Sequence, residues 1–114
     1  MIKPGNTRSQ MRKGILEYCI LSIIDGQDEA YASDIIENMK QAKMVVVEGT
    51  LYPLLNRMKK SELLDYKWRE SPSGPPRKYY TLTGKGKEFL SDLEASWNDI
   101  KNAVEQLTEN KTKK

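Results

Sequence analysis

Hydrophobic positions recur with a helical period in four places along the chain. Ile15, Leu16, Cys19, Ile20, Ile23 and Ile24 form a wide stripe that predicts a helix over residues 9–24. Asp25-Gly26 closes it, with Gly26 suited to a left-handed cap. Ile35, Ile36 and Met39 predict a second helix over 32–42, with Ser33 or a near neighbour as its N-cap. A β-branched connection, VVVE, leads into the stretch EGTLYPLLNRMKK, residues 48–60. There Leu51, Leu54, Leu55 and Met58 fall at i, i+3, i+4 and i+7, one face of a third helix. If that helix starts near Glu48 or Thr50, Pro53 falls in or beside its first turn, where a missing amide costs little. The opposite face carries Gly49, Tyr52, Asn56, Arg57, Lys59 and Lys60.

The next segment changes period. LLDYKWRE and RKYYTLT read as strands rich in Tyr and Trp, joined by the turn SPSGPP. Arg77 and Lys78 sit at the turn end of the second strand, opposite Arg69. Thr83 is a good N-cap for a fourth helix reaching about residue 109. Its apolar positions, Leu90, Leu93, Trp97, Ile100, Val104 and Leu107, advance by alternating steps of three and four, a heptad seam. At about 1.5 Å per residue such a helix is roughly 40 Å long, more than a domain this small can cover. Pairing between two copies would bury its far end, while packing on the first helix of the same chain would cover the near end.

Length and composition narrow the class. A chain of 114 residues suits one small domain. No apolar run approaches the roughly 18 residues of a membrane span, and no signal core precedes residue 15, so a cytoplasmic protein is expected. The lone cysteine, Cys19, lies in an apolar run and reads as core rather than as a redox sensor. The chain has no histidine, which removes His-based acid–base chemistry, Ser–His and Cys–His nucleophile pairs, and most zinc sites. The sequence GKGKE, residues 84–88, is too short and wrongly placed for a phosphate-binding loop. An enzyme is disfavoured, and no cofactor or metal is expected.

Charge is more informative by position than in total. Between Arg57 and Lys87 there are nine basic residues and three acidic ones, a net +6 in a chain whose total is +3. Such asymmetry points to an anionic partner, most often nucleic acid. The order helix, helix, helix, basic hairpin, long helix is mainly α with a small β-hairpin, a winged helix-turn-helix followed by a C-terminal dimerisation helix. Residues 1–83 are expected to form the winged-helix DNA-binding domain with an N-terminal arm. Residues 84–114 are expected to form the dimerisation helix and a basic tail. In a helix-turn-helix the second helix of the motif enters the major groove, here the third helix of the chain.

The stretches LYPLLNRMKKSELL and RKYYTLTGKGKEFL, with GILEYCILSII before them, resemble the PadR-like family of transcriptional regulators over nearly the whole chain. The resemblance implies a homodimer in which the long helix crosses the partner's N-terminal helix, and a repressor often relieved by a small molecule. One departure lies at YASDI, residues 31–35, where Ala32 and Ser33 replace the family's usual pattern. The wing tip, SPSGPP, also has its own sequence.

Residue types suggest the division of labour on double-stranded DNA. Arg57 can take guanine and Asn56 adenine by paired hydrogen bonds. Thr50 and Tyr52, near the helix start, suit phosphate, and Lys59 and Lys60 suit backbone charge. Arg77 and Lys78 resemble the family's basic wing pair, which implies contact with the DNA backbone or the minor groove. Trp97 on the seam is a packing residue. Facing its copy across a dimer axis, it could also hold a planar aromatic effector, with Met11, Ile15 and Cys19 on the other side. The alternative function is a winged-helix protein–protein adaptor that does not bind DNA, which would expose apolar residues where this chain carries charge. RNA binding through the same surface would lack a strong duplex preference.

Overall fold

The structure is a computed structural model that describes residues 11, 14–72 and 74–109. The expected arm at 3–8, the expected helix start at residues 9 and 10, Ser73 of the turn and the tail at 110–114 lie outside the described residues. The elements are α1 (Leu16–Gly26), α2 (Ala32–Gln41), α3 (Glu48–Lys60), β1 (Leu64–Ser71), β2 (Gly74–Leu82) and α4 (Gly84–Glu109). The first three helices enclose one core. Ile20, Leu21 and Ile24 of α1 meet Ile35 and Met39 of α2 and Leu51, Leu55 and Met58 of α3, with Leu64 and Tyr80 of the hairpin closing it. In α1–α3 the apolar stripes read from the sequence face the core, with Ile15, Cys19, Ile23, Ile36 and Leu54 only partly covered and Leu21 buried in addition.

Helix ends differ from expectation in an instructive way. Gly26 is the last residue of α1, and among the described residues no glycine has a positive φ; the left-handed ones are Asp28 (φ 65°), Lys43 (φ 63°) and Glu62 (φ 66°). After α2, the Met44 amide donates to the Met39 carbonyl at 2.8 Å and the Lys43 amide to the Lys40 carbonyl at 2.9 Å. After α3, Leu63 donates to Met58 at 2.9 Å and Glu62 to Lys59 at 3.0 Å. Both are Schellman closures, each with apolar residues at the two positions that such a closure brings together. The closure stabilises a conformation for which glycine is normally used. At the other end of α2 the N-cap is Tyr31, not Ser33, and the Asp34 carboxylate accepts the Tyr31 amide at 3.4 Å.

α3 begins at Glu48, one of the two expected starts, and Pro53 lies just beyond its first turn. The lost bond is the one to the Gly49 carbonyl. Both residues are exposed, so water can serve that carbonyl.

β1 and β2 pair antiparallel with Tyr66 opposite Tyr80, Trp68 opposite Lys78 and Arg69 opposite Arg77. The turn is shorter than the sequence implies. Pro75 and Pro76 belong to β2, where a register shift between Arg69 and Ser71 accommodates them at the hairpin end. Ala30, between α1 and α2, pairs with Tyr80 and adds a third short rung to the hairpin.

α4 starts from the predicted cap. The Gly86 amide donates to Thr83 Oγ1 at 2.9 Å, and that hydroxyl donates to the Glu62 carbonyl at 2.7 Å. Gly86 is buried against the backbone of Leu63, so close that a Cβ at this position would collide with the Leu63 carbonyl. Phe89, Leu90 and Leu93 rest on the core. Further along, Ile100 (57% exposed), Val104 (51%) and Leu107 (69%) stand in solvent. The radius of gyration, 16.6 Å, exceeds the roughly 13 Å of a compact domain of this length because this helix projects.

Lys43→Gly should stabilise the fold by about 0.5–1 kcal/mol. It removes left-handed strain of about 1–2 kcal/mol and adds a smaller unfolded-state entropy cost. Urea unfolding measures it, and a lowered midpoint would contradict the strain account.

Candidate nucleic-acid interface

The exposed residues of α3 point in three directions, as the 100° step of a helix requires. Tyr52 lies on the flank toward the hairpin, where it lines a cleft of about 310 Å³ with Tyr31, Ser33, Trp68, Arg77 and Lys78. Arg57 lies on the flank toward α1, its Nη2 3.1 Å from Glu17 Oε2. Thr50, Asn56 and Lys60 are exposed on α3 and make no side-chain hydrogen bond or ion pair among the described residues. Lys59 is half-buried, 3.7 Å from Asp65 and 5.9 Å from the centre of the Tyr66 ring. The structure thus brings Tyr52 together with Arg77 and Lys78. It separates Arg57 from them.

The two wing cations are held by rings rather than acids. Arg77 stacks over Tyr31 at 4.5 Å, and Lys78 lies 4.6 Å from the Tyr66 ring centre and 5.4 Å from that of Trp68. Arg69, across the ladder, sits over Tyr79 at 5.5 Å but also pairs with Glu29 at 3.0 Å. Tyr31 and Tyr79 meet at 5.1 Å, which ties the start of α2 to the hairpin. Among the described residues, Arg57, Lys59, Arg69 and Lys85 each have a carboxylate within 4 Å, whereas Arg77 and Lys78 have none. A ring face orients a cation, at about 0.5–1 kcal/mol when exposed, without neutralising it. The charge at the hairpin remains available to an anion.

This is the basic, aromatic-backed surface of a winged helix, and the comparison with known proteins agrees. The profile of the Transcriptional regulator PadR-like family matches residues 20–92. The chain belongs to the PadR-like family. A solved PadR-like transcription factor from Bacteroides fragilis is 58% identical, with 90% of this chain and 98% of that one covered and a TM-score of 0.73. A PadR-like transcriptional regulator from Bacillus cereus is 42% identical over 87% of this chain and 96% of its own, with a TM-score of 0.76. A PadR family regulator from Eggerthella lenta, 30% identical, covers 92% and 91% with a TM-score of 0.82. A protein of Lysinibacillus sphaericus is 31% identical over 105 residues, 90% of this chain and 95% of that one. As a PadR-like protein the chain is a transcriptional regulator and not an enzyme.

Sequence reading missed Tyr31, Ser33 and Trp68 as members of the PadR-like surface. The signal was present in the alternation of ring and cation through Tyr66-Lys67-Trp68-Arg69 and in the adjacent cation and ring pairs of Arg77-Lys78-Tyr79-Tyr80, but only the strand register shows which rings carry which charges. Of the residues considered for an effector, Ile15, Cys19 and Trp97 are half-buried and Met11 is 80% exposed. Among the described residues there is no helix long and apolar enough to cross a membrane and no acidic, cysteine or histidine cluster placed to hold a metal.

Burial pushes the Cys19 thiol above its ordinary value, which keeps it protonated at neutral pH. A thiol reagent at pH 7.5 should therefore label folded protein more slowly than the urea-unfolded chain, and equal rates would contradict the burial.

Proposed function

We propose that this PadR-like chain is a cytoplasmic homodimeric repressor that binds double-stranded operator DNA through α3 and the β1–β2 hairpin. The observation that carries the reading is the pair Arg77 and Lys78, oriented on rings and left without acidic partners. They meet the DNA backbone, while Thr50 and Tyr52 contact phosphates at the start of α3 and Lys59 and Lys60 add backbone charge toward its end. Asn56 and Arg57 read bases. Arg57 must first leave Glu17, but an exposed ion pair is worth about 0–1 kcal/mol, whereas a two-point contact to guanine contributes about 1–3 kcal/mol. The exchange therefore favours DNA.

Residues 1–83 supply the DNA surface and 84–114 the assembly. Leu90 and Leu93 are already packed on the chain's own core. Ile100, Val104 and Leu107 form the exposed continuation of the same seam, and a second copy covers them and the outer side of Trp97. A planar aromatic effector that relieves repression would sit against Trp97, with Ile15, Cys19 and Met11 contributed across the pair.

Fluorescence anisotropy with the DNA upstream of the coding region and a scrambled duplex, each over a salt series, tests the DNA reading. Tighter, salt-sensitive binding to the upstream duplex is expected. Arg57→Ala should weaken that preference by about 1–3 kcal/mol, and Glu17→Gln, which frees Arg57, should strengthen it. Parent-like binding by Arg57→Ala would remove Arg57 from the reading set. Equal absence of binding to both duplexes at low salt would favour a protein adaptor. Separately, Trp97→Glu should convert a dimer to a monomer in sedimentation velocity, and an unchanged profile would mean that the seam is internal.

A further inference from the structure

The exposed large hydrophobic side chains among the described residues fall into groups that already have an account, with one exception. Ile100, Val104 and Leu107 continue the α4 seam, Tyr52 and Trp68 line the cleft, and Met11 belongs to the effector face proposed above. Val45 and Val47 remain. They flank Val46, which is 3% exposed and anchors the connection from α2 to α3 in the core. Val47 has extended backbone (φ −98°, ψ 161°), and in such a segment alternate side chains point to opposite sides. Val47 is accordingly 61% exposed.

Its position makes the exposure notable. Val47 is the N-cap of α3, where Ser, Thr, Asp or Asn would accept an amide of the first turn, and it forms no side-chain cap bond. The chain forgoes the cap and obtains no burial in return. A local rule broken without compensation inside the fold is expected where function imposes the residue. The place fits, since the N-terminal end of a reading helix is the end that addresses base edges.

We propose that Val47 is a specificity-determining residue that packs against the C5-methyl group of a thymine in the major groove. The base edges there are polar except for that methyl, so it is the one complement the groove offers to an exposed valine. The assignment rests on the DNA-regulator reading above.

The test uses the full chain and a duplex that it selects from a random-sequence library. Each thymine of that duplex is replaced in turn by uracil, which removes only the methyl, and the series is measured with the parent and with Val47→Ser. The parent should lose about fourfold in affinity at one thymine per half-site, the size of one buried methyl group. Val47→Ser should not distinguish thymine from uracil at that position. Serine restores a cap, so this variant should melt at or above the parent's temperature, which separates lost recognition from lost folding. A parent indifferent to uracil everywhere, or a Val47→Ser protein that discriminates as the parent does, overturns the assignment. Failure to select any preferred sequence overturns the sequence-reading function itself, and Val47 with it.

Discussion

Two hydrogen bonds between Ala30 and Tyr80 fix the hairpin to the helices, and the interface depends on them. The Tyr80 amide donates to the Ala30 carbonyl at 2.7 Å, and the Ala30 amide donates back to Tyr80 at 3.0 Å. An isolated two-stranded hairpin is marginal in water. Here it has a third rung and a buried anchor, because Tyr80 is 2% exposed and its ring enters the core, where burial raises the phenol's pKa. The anchor also sets the faces. With Tyr80 inward, Lys78 lies beside Trp68 and Arg77 reaches Tyr31. A slip of one residue would exchange the two sides and dismantle both ring contacts.

From that anchor the charge pattern follows. Cations that would be expensive to leave without orientation are laid on rings instead of acids, so the hairpin stays both ordered and electropositive. α3 is treated differently on its two flanks. Toward the hairpin it presents Tyr52 to the cleft, and toward α1 it stores Arg57 against Glu17. The first arrangement is ready for an anion, and the second is a weak bond that a stronger partner can replace.

Periodicity made the helices legible, since Leu51, Leu55 and Met58, or Ile20 and Ile24, can be buried together only on a helix. The Thr83 cap was legible because its hydroxyl serves an amide three residues on. Elsewhere the deciding partner lies at a distance the sequence does not display. Lys43 and Glu62 occupy left-handed positions because backbone bonds around them hold the turn, with no local signal of the kind glycine gives. Arg57 and Glu17 are 40 residues apart, and no spacing rule joins them. The cleft draws on α2, α3 and both strands, so its rings became a site only when the hairpin register placed them around it. The heptad on α4 was plain, yet only the packing shows where the chain's own cover ends, between Leu93 and Ile100.

The close fit of Gly86 against Leu63 ties the two ends of the molecule together. Thr83 bridges the Glu62 carbonyl and the Gly86 amide, so the base of α4 is fastened to the turn that closes α3. The last helix, roughly 39 Å long at 1.5 Å per residue, therefore works as a lever seated against the end of α3. In the homodimer proposed above, the angle at which the two long helices cross would fix the distance between the two copies of α3, and the spacing of operator half-sites would then be encoded in residues that never approach the DNA.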